Sequence, residues 1–113
     1  MLPLIGKSRL AYHHIMPDVF EALATPARRA IVDELHERDG QTLFELCTRL
    51  AMKHGLALTR QAISQHLDVL EAVGLVTTRR EGRYKFHYLN IDPLKAIVER
   101  WLKKQGGRKG ANQ

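Results

Sequence analysis

The stretch from Thr59 to Val76, T-R-Q-A-I-S-Q-H-L-D-V-L-E-A-V-G-L-V, carries a clear local pattern. Its apolar residues recur at steps of three and four and so form one broad stripe on a helix. They are Ala62, Ile63, Leu67, Val69, Leu70 and Val73. Thr59 can cap the start of this helix, and Gly74 can take the left-handed backbone that ends one. The stretch predicts an amphipathic helix over residues 59–73.

The polar face of this helix begins with hydrogen-bonding side chains and contains no acid before Asp68. These side chains are Arg60, Gln61, Ser64 and Gln65. Such groups can contact base edges and phosphates in a major groove. Taken alone, the stretch favours two interpretations equally: a DNA recognition helix, or an ordinary surface helix whose polar face meets water.

Composition narrows the choice of partner. The chain has 113 residues, which suits one domain, and 18 Lys and Arg against 12 Asp and Glu give a net charge of +6. That balance favours nucleic acid, and less strongly an anionic membrane. No apolar run approaches the roughly 18 residues of a spanning helix, and no secretory signal is visible. The single cysteine, Cys47, excludes an internal disulfide framework, so we expect a cytoplasmic protein without a membrane partner.

Three helices are predicted before the Thr59 stretch. Apolar residues at 19–23 indicate a short first helix, and Thr25-Pro26 is a cap followed by a proline at the first helical position. The second helix then runs to about Arg38, and the third runs from near Thr42 to His54-Gly55. Residues 1–15 mix apolar and basic side chains without a period, which predicts an N-terminal arm or extension before a domain spanning residues 16–102.

After Gly74 the period changes to two, which predicts a β-hairpin from strands at 76–80 and 84–89 with Glu81-Gly82 as the turn. Four cations are expected at its exposed positions beside one acid: Arg79, Arg80, Arg83 and Lys85. A solubilising edge hairpin would also carry charge. The excess of cations favours a DNA-contacting wing.

Asp92-Pro93 repeats the cap-plus-proline signal and opens a last helix with a wide apolar stripe. The stripe consists of Leu94, Ile97, Val98, Trp101 and Leu102. It either packs back on its own domain or lies against a second subunit, where a Trp ring suits an interface anchor. Residues 103–113 have four cations, three glycines and no acid, which predicts a disordered basic tail.

A helix, a short connection, a second helix with base-reading side chains, and a hairpin form a helix-turn-helix with a wing. The predicted fold is mainly α with a small β-hairpin, in the order α-α-α-α-β-β-α. This order resembles the winged-helix regulators of the ArsR/SmtB family. The resemblance rests on A-L-A-T-P-A-R-R-A-I-V-D-E-L at 22–35, A-I-S-Q-H-L-D-V-L-E-A-V-G-L-V at 62–76 and R-R-E-G-R-Y-K-F-H-Y at 79–88, and covers most of residues 18–102.

The resemblance implies a homodimeric bacterial repressor whose first and last helices form the dimer contact and whose effector releases the DNA. By position it implies groove and phosphate contacts, and wing contacts, from Arg60, Gln61, Ser64, Gln65, His66, Arg80 and Arg83. The predicted DNA-binding set adds Thr59 at the helix start and Arg79 and Lys85 in the hairpin. The predicted dimer interface is the stripe of the last helix.

The sequence departs from the family where many members bind metal. Soft-metal sensors place Cys-x-Cys at the start of the third helix. Here the matching positions hold Thr42 and Phe44, and Cys47 falls on the apolar side, where a thiol is more often a core residue than a ligand. The last helix contains no His, and the connection from Ala51 to Leu58 looks longer than the usual turn. We therefore predict no metal site and no cofactor, and leave the effector undefined.

The histidines support the same conclusion. His13-His14 are adjacent without a nearby thiol or carboxylate, which is a poor metal site. His36 and His54 lie near helix C-termini, where an imidazole can interact with the last carbonyls. His66 lies beside the buried stripe, so a structural hydrogen bond competes evenly with a phosphate contact.

These features predict a cytoplasmic transcriptional repressor that reads a near-palindromic operator with helix 59–73 and the wing at 79–85. One rival is a winged helix whose basic hairpin binds an acidic protein, and a lack of salt-sensitive DNA binding would favour it. The other rival is an enzyme. The sequence has no Gly-rich phosphate loop, nucleophile elbow or paired carboxylates to support that second rival.

Overall fold

The computed structural model describes residues 18–107, with side chains through Leu102. Within this range the chain forms α1 (Val19–Ala22), α2 (Pro26–Glu37), α3 (Leu43–His54), α4 (Arg60–Ala72), β1 (Val76–Glu81), β2 (Tyr84–Leu89) and α5 (Asp92–Gly107). The predicted winged helix-turn-helix order is confirmed. The predicted arm at residues 1–15 lies outside the described residues.

Side-chain caps fix where the helices begin. The Thr25 hydroxyl accepts from the Arg28 amide at 3.3 Å, and the Thr59 hydroxyl accepts from the Ala62 amide at 3.0 Å. Thr42 forms a reciprocal capping box with Glu45. Each cap stabilises its helix by about 0.5–2 kcal/mol. The start of α4, where the predicted base-reading side chains lie, is therefore set locally.

The apolar stripes of α2, α3 and α4 meet in one core beneath the hairpin. Its buried members are Ala22, Ala30, Ile31, Leu35, Leu46, Leu50, Ile63, Leu67, Leu70, Leu75 and Val76. Burial of such side chains contributes about 25 cal/mol per Å² of apolar surface removed from water, which is the main force holding α4 in place. The predicted inward stripe of α4 is confirmed.

The connection inside the helix-turn-helix begins at Gly55. Helix α3 continues through His54 because Ala51, Met52 and Lys53 are good helix formers. It ends at Gly55, whose φ of 68° is left-handed, and the Leu56 amide then donates to the Leu50 carbonyl at 2.9 Å. The predicted end of this helix near His54-Gly55 is confirmed, and the connection is residues 55–59 and not the longer stretch from Ala51 to Leu58.

The hairpin is antiparallel and turns at Gly82-Arg83, with Gly82 at φ 64°. Strand β1 therefore includes Glu81, and the prediction that Glu81 belongs to the turn is wrong. Lys85 was expected to be exposed but is half-buried, because it shares a face with His87, which is 5% exposed.

A short bridge fastens the base of the hairpin to the helices. The backbones of His87 and Gln41 exchange hydrogen bonds of 2.8 and 3.1 Å. Gln41 lies just before α3, so the wing is held to the helix-turn-helix by paired backbone as well as by side chains. This bridge draws the inner face of β2 against the core.

Helix α5 runs through Gly107, five residues beyond the predicted end of the domain at 102. Lys103, Lys104 and Gln105 are good helix formers and continue it. The rest of the predicted tail, residues 108–113, lies outside the described residues. None of the helices in the described range is long and apolar enough to cross a membrane.

Candidate DNA-binding surface

The first two turns of α4 present an unengaged polar face. Thr59, Arg60, Gln61 and Gln65 are exposed and Ser64 is half-buried. Within residues 18–102, the side-chain hydrogen bonds of these turns come from Thr59 and His66. The polar groups of Arg60, Gln61, Ser64 and Gln65 are therefore available to another molecule, while Ile63, Leu67 and Leu70 hold the opposite face of the helix in the core.

His66 makes a structural hydrogen bond, one of its two predicted roles. Its Nδ1 lies 3.1 Å from Nη1 of Arg28, which must be the donor because a guanidinium has no acceptor. Burial, and then the Arg28 charge, lower the pKa of His66, so the ring is neutral with its proton on Nε2. That N–H remains a donor, so the phosphate contact of His66 stays a prediction.

Arg28 connects three helices. Its Nε donates to the Ala22 carbonyl at 2.6 Å and its Nη2 donates to the Glu21 carbonyl at 3.3 Å. Together with His66 on α4, these contacts fasten the end of α1 and the start of α2 to the proposed recognition helix. The sequence offered no clear signal for this role, since Arg28 reads as one of many surface cations.

The predicted wing cations lie in different surroundings. Arg79 is 3.9 Å from the Glu81 carboxylate and 5.3 Å from the Tyr88 ring centroid, so it is engaged within the outer face. Arg83 is exposed in the turn, and Arg80 pairs directly with Lys85 across the strands. Two like charges in that register destabilise a hairpin. An anion placed between them removes this cost.

The recognition helix and the wing border one cavity of about 320 Å³. Arg60 and Ser64 contribute from α4, and Arg83, Tyr84 and Lys85 from the hairpin. The predicted helix and wing contacts therefore belong to one continuous surface. Three cations of the predicted set, Arg60, Arg83 and Lys85, lie together on it.

His54 does not act as the helix-capping group that was predicted. Its Nε2 lies 3.4 Å from Oε1 of Glu34, a carboxylate that is fully buried in α2. Burial raises the pKa of Glu34, but hydrogen bonds from Gln41 and His54 and the charge of Lys53 outweigh burial and hold it below its ordinary value. The sequence does carry a signal that Glu34 is buried, because Glu34 lies within the apolar stripe of α2, three residues after Ile31.

Cys47 is half-buried against the core, as its place on the apolar side of α3 predicted. Burial raises the pKa of its thiol despite the opposing charge of Arg60. Phe44, at the position that Cys-x-Cys members use, is 68% exposed. Among the described residues, no group of three or more His, Cys, Asp or Glu side chains is arranged to hold a metal ion.

The stripe of α5 is largely uncovered. Trp101 is 53% exposed and Leu102 is 60% exposed, and the Trp101 ring meets Phe20 of α1 at a centroid distance of 6.4 Å. Beside them lies a groove of about 380 Å³, lined by the apolar residues Ile91, Leu94, Val98 and Leu102 together with Lys95 and Glu99. Leu94 and Ile97 are half-buried, so the predicted interface residues form one partly covered apolar face with α1.

The fold and this surface define a winged helix-turn-helix protein. A family model described as a helix-turn-helix domain matches residues 23–79. The chain is 49% identical over 84 residues to the HTH-type transcriptional regulator YuzN of Bacillus subtilis (strain 168), covering 74% of this chain and 91% of YuzN. It is 37% identical over 81 residues to the HTH-type transcriptional repressor SmtB of Mycobacterium tuberculosis (strain ATCC 25618 / H37Rv), covering 72% of this chain and 55% of SmtB.

Comparison with solved structures leads to the same class of protein. An ArsR family transcriptional regulator superposes with a TM-score of 0.63 at 28% identity, covering 85% of this chain and 91% of that one. HlyU from Vibrio cholerae N16961 superposes with a TM-score of 0.57 at 32% identity, covering 74% and 84%. The chain belongs to the ArsR/SmtB family of winged helix-turn-helix regulators. It is a DNA-binding transcriptional regulator and not an enzyme.

Proposed function

We propose that this regulator is a homodimeric cytoplasmic repressor that reads a near-palindromic operator with the helix at 59–73 and the wing at 79–85. The observation that carries the proposal is the continuous surface on which Arg60 and Ser64 of the unengaged face of α4 meet the wing cations Arg83 and Lys85. Protein surfaces that combine hydrogen-bonding groups on a helix with adjacent cations suit DNA, since the helix reads bases and the cations bind phosphates.

The α4 side chains supply the sequence preference. Arg60 and Gln61 are exposed at the start of a helix whose position is fixed by its buried face. An Arg can bind guanine and a Gln can bind adenine through two hydrogen bonds each. Thr59, Ser64, Gln65 and His66 then serve as nearby groove or phosphate contacts.

The wing supplies affinity without sequence preference. Arg80 and Lys85 lie where a phosphate would relieve their mutual repulsion, and Arg83 is exposed in the turn beside them in sequence. Arg79 is engaged with Glu81 and Tyr88 in the free protein, so its contact with DNA requires that it leave that pairing. We expect Arg79 to contribute least of the four.

The uncovered face of α1 and α5 supports the proposed dimer. Trp101, Val98 and Leu102 are each more than half exposed, which is unusual for large apolar side chains that lie next to one another. A symmetric pair of these faces would cover both, and two copies of α4 about 34 Å apart would engage successive major grooves. A two-fold protein in turn predicts a near-palindromic site.

The test is binding of the purified protein to DNA from upstream of its own gene, with a scrambled duplex as control, across a salt series. We expect tighter binding to the upstream DNA and a log–log salt slope of about 0.9 for each phosphate neutralised. Equal affinity for both duplexes would reject the operator. Absence of any salt-sensitive DNA binding would instead favour a basic hairpin that binds an acidic protein.

A further inference from the structure

His66 lies on the edge of α4 opposite the hairpin cavity. The α4 residues that border this cavity include Ser64 and Asp68. His66 is two residues from each of them, which at about 3.6 residues per turn places it roughly half-way around the helix. A helix in a major groove lies between two phosphate backbones. With the wing on one side of α4, His66 is on the side of the other backbone.

Arg28 is the residue that contacts His66 on this edge, and it is held at both its ends. Its backbone amide donates to the Thr25 hydroxyl that caps α2. Its Nε and Nη2 donate to the carbonyls of Ala22 and Glu21 at the end of α1, at 2.6 and 3.3 Å. The rotamer entropy of this long side chain is therefore already lost in the free protein.

The remaining guanidinium nitrogen determines which nitrogen of His66 carries the proton. Nη1 of Arg28 lies 3.1 Å from Nδ1 of His66, and a guanidinium can only donate, so Nδ1 accepts and the proton of the neutral ring is on Nε2. Burial, and then the Arg28 charge, lower the pKa of His66 and keep the ring neutral. Among residues 18–102 the fully enclosed polar side-chain atom without a partner is Gln41 Oε1, so Nε2 of the half-buried His66 contacts solvent.

We propose that Arg28 is a positioning residue for DNA binding: by holding Nδ1 of His66, it fixes the tautomer and orientation in which Nε2–H donates to a phosphate on the side of α4 away from the wing. The phosphate contact rests on the proposed function, whereas the tautomer of His66 does not. A neutral donor to a phosphate adds affinity without sequence preference. It also neutralises no charge, so its loss leaves the salt slope unchanged, unlike the loss of a wing cation.

Arg29 provides a matched control for Arg28. It is the next residue along α2, and its Nη1 donates to the Leu23 carbonyl at 2.7 Å, so it also binds the end of α1. Among residues 18–102 this is the hydrogen bond that its side chain makes, and it does not reach α4. Arg28→Met and Arg29→Met therefore each remove one cation and its contact with α1, but only Arg28→Met releases His66.

The first experiment records the imidazole nitrogen chemical shifts of His66 by NMR at neutral pH, on the protein without DNA. We expect a protonated Nε2 and an unprotonated Nδ1 in the wild type and in Arg29→Met. In Arg28→Met both tautomers should be populated, so the two shifts should move toward each other. A proton on Nδ1 in the wild type, or the same shifts in all three proteins, would overturn the proposal independently of DNA binding.

The second experiment uses His66→Asn. The Oδ1 of the new side chain takes the place of Nδ1 and can still accept from Arg28, but no group replaces Nε2. We expect the Kd for operator and scrambled duplexes to rise alike, by about tenfold for each subunit, as for loss of one hydrogen bond to a charged group. The salt slope should not change. An unchanged Kd or a lower salt slope would overturn the phosphate contact. A wild type that binds neither duplex would instead reject the proposed function.

The third experiment tests whether Arg28 acts through His66. Arg28→Met should weaken DNA binding more than Arg29→Met, by about tenfold at most for each subunit. In the His66→Asn background the two Arg variants should cost the same, because the donor that Arg28 positions is already absent. Equal losses in the wild-type background, or the same difference in both backgrounds, would overturn the positioning role. Should Arg28→Met be unfolded in the assay, Arg28→Lys against Arg29→Lys makes the same comparison, since a lysine cannot make the three contacts at once.

Discussion

The apolar stripe of α4 is covered within the chain, whereas that of α5 is left half exposed. Ile63 and Leu70 on α4 are 0% exposed, but Trp101 and Leu102 on α5 are 53% and 60% exposed. The two helices have similar amphipathic patterns, so the difference lies in what each one packs against. The buried face of the recognition helix is held within the chain, whereas the closing helix leaves an apolar face that we propose a second subunit covers.

The largest expected effect separates these two regions by stability. Leu70→Ala removes a fully buried side chain and should lower the free energy of unfolding by about 2–5 kcal/mol. Leu102→Ala removes the same atoms from an exposed position and should leave the stability of a dissociated subunit nearly unchanged. Urea unfolding at low protein concentration measures both, and similar losses in the two variants would contradict the comparison.

The second prediction tests the partner of α5. Trp101→Ala should weaken dimerisation by about 2 kcal/mol or more, because a large aromatic side chain at the centre of an interface is a typical hot spot. Sedimentation across a concentration series should show two chains for the wild type and a shift toward one for the variant, with helical content unchanged. A wild-type monomer that still binds the operator tightly would refute the assignment.

The order of the elements and the face of α4 could be predicted because they depend on local signals. Thr25, Thr42 and Thr59 each precede a periodic apolar run, and the structure uses all three as caps. Periodicity also identified the stripe that faces the core. These signals need no knowledge of which elements meet in space.

The polar contacts between distant elements could not be predicted. Arg28 meets His66 across 38 residues, and His87 meets Gln41 across 46 residues. Side-chain type and spacing do not reveal such partners, because they arise only when separate helices and strands pack together. The cavity between α4 and the hairpin was missed for the same reason.

The third prediction concerns how the exposed side chains of α4 and of the wing contribute to DNA binding. Arg60→Ala and Gln61→Ala should each reduce discrimination between operator and scrambled DNA by about 1–3 kcal/mol, since base contacts carry sequence information. Arg83→Ala should weaken binding to both duplexes alike and lower the salt slope by about 1, since a phosphate contact carries no sequence information. A competition assay with both duplexes measures the two effects. Unchanged discrimination in the α4 variants would show that the recognition helix is misassigned.

The fourth prediction is that lowering the pH reduces the stability of the helix-turn-helix more than it affects the apolar face of α5. The folded-state pKa values of His66 and His87 are lowered, chiefly by burial, so the unfolded chain takes up protons first as pH falls through about 6.5. Glu34, with its lowered pKa, contributes stability above its ordinary pKa of 4.5, and that part is lost as pH falls further. Stability should therefore fall in two steps.

The matched variant for the first step is His87→Gln, which removes one of the two titrating rings and should flatten the fall near pH 6.5 without affecting the later one. Chemical denaturation at a series of pH values is the measurement. The α5 segment at residues 92–102 contains no His, so between pH 7 and pH 6 dimerisation should change less than stability. A larger change in dimerisation than in stability would contradict the assignment.

The smallest expected effect is that of Cys47→Ser. The thiol is half-buried against the core. The substitution replaces a weakly polar sulfur with a hydroxyl and should lower the free energy of unfolding by about 1 kcal/mol or less. Burial also raises the pKa of the thiol, which lowers the fraction of thiolate available to a metal or an oxidant.

Cys47→Ser should therefore disturb packing more than signalling. A soft-metal site needs several converging thiolates, and one cysteine per chain supplies at most two even in a symmetric dimer. We expect zinc, cadmium and arsenite to leave the protein–DNA complex intact in both wild type and variant when DNA anisotropy is followed during titration. Stoichiometric release of DNA by any of them, abolished by Cys47→Ser, would make the thiol a sensor. The packing explanation of its position would then be insufficient.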